Sequence, residues 1–238
     1  AARNANATVK IVETFGSAAS PHAFSLIAIA EQDLPIDFPE AAIVEANETK
    51  PLTIDTDAID ISARTDLRDI AFVTIDPADA RDHDDAVYAE PDTDPDNLGG
   101  YIVWVAIADV AAHVTPDSAM DEEARKRGNS VYMPDRVVPM LPERLSNDLC
   151  SLREQEDRPC MAVRMQIDAQ GKERTHKFVR GLMRSAAKLS YQEAQGIFDA
   201  QPGVGSTGLD GILGQLWQAY LLMAQARDAR APLIIDKP

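Results

Sequence analysis

The chain has 238 residues, 45% of them hydrophobic, enough to fill the core of one large domain or two small ones. It contains no run of eighteen apolar residues, and the opening "AARNANATVK" lacks the charged and apolar regions of a signal peptide; composition therefore speaks against a membrane partner and against secretion, and a cytoplasmic location is expected. Taken alone, the formal charge of −16 argues against a nucleic-acid partner, although charge averaged over a chain says little about one groove.

In chain order, residues 9–30 hold two apolar pieces, "TVKIVETFG" and "HAFSLIAIA", parted by "GSAASP" and read as strands. Segment 31–65 reads as a linker that carries a short helix from Pro39 to Ala46, with proline in its first turn. From Phe72 the pattern becomes strand "FVTID", an acidic loop, strand "DAVYAE", a polar turn "PDTDPDNLGG" and the long apolar strand "YIVWVAIADV". Helix signals bound "TPDSAMDEEARKRGNS": Ser118 with Asp121 three residues on, then Arg125, Lys126 and Arg127 ahead of Gly128. A proline-rich irregular stretch, "VYMPDRVVPMLPERLSNDLCSL", comes next. "MAVRMQID" and "ERTHKFVRGLMR" about "AQGK" predict a hairpin, and Ser190 with Glu193 predicts a capping box for the helix "YQEAQGIFDA". A last amphipathic helix places Leu213, Leu216, Trp217, Tyr220, Leu221 and Ala224 at helical spacing, a stripe read as core. Cys150 and Cys160 lack the CxxC spacing and are expected as buried thiols. The pattern predicts a mixed α/β fold, a sheet flanked by helices.

The stretch "TIDPADARDHDDAVY", residues 74–88, together with Glu90 just beyond it holds six carboxylates and a single fixed cation, Arg81. Asp76 ends a strand, and Asp82, Asp84 and Asp85 follow at offsets that a folded-back loop can bring toward one point. Like charges a few ångströms apart are costly, and a divalent cation removes the conflict. Hard oxygen donors select Mg²⁺, Mn²⁺ or Ca²⁺, and the lack of partnered His and Cys argues against zinc. His83, alternating with acids in an extended segment, is expected to point to the opposite side. A metal held by few carboxylates keeps positions open for water and phosphate, which points to phosphoryl or phosphodiester chemistry. Two further acidic stretches carry less. "DTDPDNLGG" has Asn97 and Val103 where a calcium loop needs Gly and Glu, and reads as a surface turn; "TIDTDAID" matches the nucleophilic-aspartate pattern of phosphotransferases weakly, through Asp55.

Three stretches, "TIDPADARDHDDAVY", "VAIADVAAHVTPDSAMDEEARKRGNSVYMPDRVVPMLPERLSNDLCSL" and "RSAAKLSYQEAQ", in that order across residues 66–195, resemble the RNB catalytic domain of the ribonuclease R and ribonuclease II family. Residues 1–30 are similar to the end of the cold-shock, OB-type domain that precedes it. The resemblance implies a short β remnant over 1–30, a linker over 31–65 and the N-terminal part of the catalytic domain over 66–238, with the missing C-terminal part of the enzyme as a partner. It implies a 3′ to 5′ exoribonuclease that hydrolyses single-stranded RNA to nucleoside 5′-monophosphates with Mg²⁺, or Mn²⁺ in its place. In it, Asp76, Asp82, Asp84 and Asp85 would form the metal site, Asp76 and Asp85 as the most direct ligands and Asp84 as the residue essential to turnover. Tyr132 in "SVYMPDR" would stack on or support the terminal nucleotide. "MLPERLSNDLCSL" reads as support for the cleft, and Arg136, Arg144 and Arg153 each read equally as a phosphate contact or as a surface charge. Pro77 and His83 stand where relatives often have Gly and Phe. Because the chain stops at "LIIDKP", before the family's later motifs, weak RNA binding and slow or absent turnover are expected of it alone. A non-catalytic metal- or RNA-binding scaffold, and a Mg²⁺-dependent phosphotransferase using Asp55 or Asp84, are the alternatives.

Overall fold

A computed structural model describes residues 10–11, 14–17, 20–52, 63–200 and 208–230. Its elements are helices α1 (Pro21–Glu31) and α2 (Glu40–Glu48), strands β1 (Thr65–Asp66), β2 (Val73–Asp76), β3 (Asp85–Pro91) and β4 (Tyr101–Ala108), helix α3 (Ala119–Arg127), strands β5 (Val131–Tyr132), β6 (Val137–Val138), β7 (Asp157–Ile167), β8 (Glu173–Arg184) and β9 (Ala187–Ser190), then helices α4 (Tyr191–Asp199) and α5 (Gly208–Asp228). Seven strands form one sheet in the order β1-β8-β7-β4-β3-β2-β9, and β5 with β6 makes a separate ribbon. The five central strands pair antiparallel, whereas β1 and β9 add in parallel to β8 and β2.

Both faces of this sheet are covered, which is why β4 reads as an almost unbroken apolar run. On one face Ala86 and Ala106 pack with Phe72, Leu145, Leu149, Leu152 and Met183. Phe72 is fully buried and meets Tyr88 and Trp104 edge-on. Val73, Ala89 and Val103 point to the other face, where Leu213, Leu216 and Ala219 of α5 cover them. The β7–β8 hairpin turns at Gly171, whose φ of +75° suits glycine and where an added Cβ would lie 2.0 Å from the Leu222 carbonyl oxygen. Helix α3 is capped as its sequence predicts, with Ser118 Oγ accepting from Asp121 N and Gly128 closing the C-terminus. The capping box of Ser190 and Glu193 is also formed. Among the described residues, no helix is long and apolar enough to cross a membrane.

Two expectations are corrected. The segment "HAFSLIAIA", expected as a strand, is helical in α1, and no strand precedes Thr65 among the described residues; residues 1–9, 12–13 and 18–19, on which much of the other expected strand falls, lie outside them. An apolar run is ambiguous by periodicity alone, and here eleven residues led by proline and rich in alanine favour a helix that buries Ala23, Ser25 and Ile29. The stripe on α5 is only partly core: Leu213 is fully buried, but Trp217 and Tyr220 are 38% and 45% exposed and stack on each other, with Phe198 beyond.

Candidate active site

The acidic loop joins β2 to β3. Asp76 is the last residue of β2 and Asp85 the first of β3, so two carboxylates stand at adjacent strand ends and Asp82 and Asp84 lie on the connection between them. Pro77 turns the chain away from the sheet, its carbonyl accepting from Ala80 N at 3.0 Å. The return of the loop is fixed by backbone bonds to residues distant in sequence. Ala108 N at the end of β4 donates to the Asp84 carbonyl at 2.8 Å, and Leu152 N donates to the His83 carbonyl at 2.8 Å. Ser151 is fully buried; its Oγ accepts from His83 N at 3.1 Å and donates to the Arg81 carbonyl at 3.3 Å. The stretch read as cleft support, "MLPERLSNDLCSL", therefore clamps the acidic loop through its last two residues.

Asp76, Asp82, Asp84 and Asp85 all open into one cavity of about 770 Å³. Seven carboxylates line it against two guanidinium groups, those of Arg81 and Arg136. The walls limit the water around Asp84, and together with the charges of Asp82, Asp85 and Asp76 this pushes its carboxyl above the usual range, while the neighbouring His83 opposes the rise. Burial and then the charge of Asp76 raise Asp85 in the same way. Tyr132 enters from the β5–β6 ribbon, where the Met133 N to Arg136 carbonyl bond closes the turn. Its hydroxyl donates to Asp82 Oδ2 at 3.0 Å, the residue remains 64% exposed, and burial ahead of the Asp82 bond raises its phenol above the usual value.

The sequence-predicted residues thus share one cavity. Among the described residues, no three carboxylate, imidazole or thiolate groups lie close enough to enclose a metal ion, so the fit to Mg²⁺ or Mn²⁺ rests on the all-oxygen donors and on the mutual repulsion that a cation would relieve. His83 stays out of the lining of the acidic cavity, as expected, but departs from expectation in reaching Asp76. It is buried, and its ring turns back to Asp76, with Nδ1 2.7 Å from Oδ2, because the loop is folded rather than extended at this point. Arg144 and Arg153 pair with Asp148, and Arg136 with Asp135, so each cation already has a carboxylate partner. Residues Asp92, Asp94 and Asn97 form the surface turn expected of them, Asp92 accepting from Asn97 and Gln166. Cys150 and Cys160 are buried free thiols, burial pushing both up to about 12. Asp55 lies outside the described residues.

The domain that gathers four aspartates and a tyrosine around this cavity is matched, over residues 64–230, by the RNB domain family model, and the chain belongs to that family. Among its relatives, ribonuclease R of Vibrio parahaemolyticus is 42% identical over 229 residues, covering 94% of this chain and 26% of that protein; the chain spans about a quarter of the relative's length. The solved structure of Mycoplasma genitalium RNase R in complex with double-stranded RNA superposes with a TM-score of 0.76 at 29% identity, over 91% of this chain and 37% of that one. Yeast Ssd1, described as a pseudonuclease, shares the fold at a TM-score of 0.60 and 18% identity over 76% of this chain and 21% of its own. One fold thus serves proteins that differ in activity, and the side chains of the cavity must carry the functional argument.

Proposed function

We propose that the chain carries the metal-binding part of a 3′ to 5′ exoribonuclease that hydrolyses single-stranded RNA to nucleoside 5′-monophosphates with Mg²⁺, Mn²⁺ serving in its place, in the cytoplasm. One observation carries this reading: Asp76, Asp82, Asp84 and Asp85 open into a single cavity wide enough for a nucleotide, with Tyr132 at its wall. So acidic a cavity repels a phosphodiester unless a cation enters with it. When bound, the metal would supply Lewis acidity at the scissile phosphate and at the attacking water. Asp76 and Asp85, set at adjacent strand ends, would hold the metal; Asp84, between them and raised by its neighbours, would complete the set that turnover needs, with Asp82 in support. Tyr132, tied to Asp82 by its hydroxyl, keeps an exposed ring that can stack under a terminal base, an interaction of about 1–3 kcal/mol that tolerates any sequence.

A 5′-labelled single-stranded oligoribonucleotide incubated with the chain and Mg²⁺ tests this. A descending ladder, slow because the chain spans about a quarter of its relative, supports the reading, and Asp84→Asn is expected to lower its rate at least ~100-fold while the fold is kept. An intact oligonucleotide alongside retained RNA binding would favour a scaffold role. A trapped aspartyl-phosphate would favour a phosphotransferase, and a variant as active as the parent would remove Asp84 from the mechanism.

A further inference from the structure

The imidazole of His83 is 2% exposed and lies with Nδ1 2.7 Å from Asp76 Oδ2. An ionised carboxylate can only accept, so the ring must hold its proton on Nδ1 and donate it. The residue cannot drift from this position. Its amide is held by Ser151 Oγ, its carbonyl by Leu152 N, and the next carbonyl, of Asp84, by Ala108 N. Two of these anchors come from a segment almost seventy residues away, so the ring is delivered to Asp76 by the tertiary fold.

We propose that His83 is a positioning residue for Asp76. By engaging Oδ2 it fixes the rotation of the carboxylate and leaves the other oxygen for the cavity that Asp76 lines. A carboxylate held in this way binds a dication without first losing rotational freedom, and groups that orient a metal's ligands from behind set its affinity as well as its geometry. Phenylalanine would fill similar space and cannot donate, so the imidazole adds an orienting bond that packing alone does not provide.

The inference rests on the metal reading above, and titration of the whole chain with Mn²⁺, followed by calorimetry and by the electron paramagnetic resonance of free Mn²⁺, tests both. His83→Phe keeps the backbone anchors and is expected to weaken Mn²⁺ binding roughly tenfold, within the range typical for loss of an orienting group. His83→Asn, whose amide can donate from nearly the same place, is expected to restore affinity to within about threefold, which a loss of packing would not predict. In an Asp76→Ala background His83→Phe should change affinity less than about twofold, since its partner is gone. Circular dichroism of each variant checks the fold. A wild-type chain that takes up no Mn²⁺ overturns the metal reading and this one together. Uptake by the wild type that His83→Phe leaves unchanged, or a loss of equal size in the Asp76→Ala background, overturns the role of His83 alone.

Discussion

Asp84 stands where burial and three neighbouring carboxylates act in the same direction on one group. The folded chain holds the Asp84 proton more tightly than the unfolded chain does, so this residue favours the fold at low pH and opposes it as pH climbs from the ordinary value of 3.8 through the raised one. Removing the charge should relieve the opposition. In metal-free buffer, Asp84→Asn is expected to melt above the parent at neutral pH and to lose less stability between about pH 4 and 7, as judged by scanning calorimetry across that interval. A lower melting temperature for the variant at neutral pH would show that the aspartate is held by favourable contacts rather than crowded by like charges. The acids themselves were legible in the sequence, because five carboxylates within ten positions pose an electrostatic problem wherever the loop goes. The direction of His83 was not, because alternation along an extended strand does not apply to a loop that folds back on Asp76.

Among the elements, those with strong local signals formed as predicted. The paired periods of β7 and β8 and the caps of α3 and α4 depend on neighbours a few residues away, and each appears in the fold. Helix α1 formed against expectation because its apolar residues satisfy either period, and its leading proline and its alanines favour the helix. Tip and helix also interlock in a way local pattern does not reveal: Gly171 closes the hairpin against the backbone of α5 at Leu222. Gly171→Ala would demand a left-handed conformation of alanine and place its Cβ inside contact distance of that carbonyl. A loss of about 2 kcal/mol is expected. Urea unfolding measures it, and an unchanged midpoint would mean that the hairpin tip and α5 part at little cost.

At the scale of the whole molecule, a chain of formal charge −16 gathers seven carboxylates around one cavity, and the family's dealings with RNA have to be reconciled with that sign. The dication proposed above would reconcile them, and a cation that binds only the folded state must stabilise it. Adding Mg²⁺ at constant ionic strength should raise the melting temperature, by the equivalent of about 2.7 kcal/mol at a hundredfold excess over the dissociation constant. Asp76→Asn should show a much smaller rise. Equal rises in both would trace the effect to general screening of surface charge.

The sequence by itself determined β2, β3 and β4, the β7–β8 hairpin, the helix caps of α3 and α4 and the supply of hard oxygen donors, since each follows from residue types within a few positions of one another. Only the tertiary structure decided that Ser151 and Leu152 would clamp the acidic loop, that Tyr132 would reach Asp82 and that His83 would turn onto Asp76. The clamp and the tyrosine contact join residues 50 or more positions apart, and the histidine's turn depends on that clamp. Such approaches are selected by which faces of the sheet must be buried, a property of the assembled core and of no single stretch of chain.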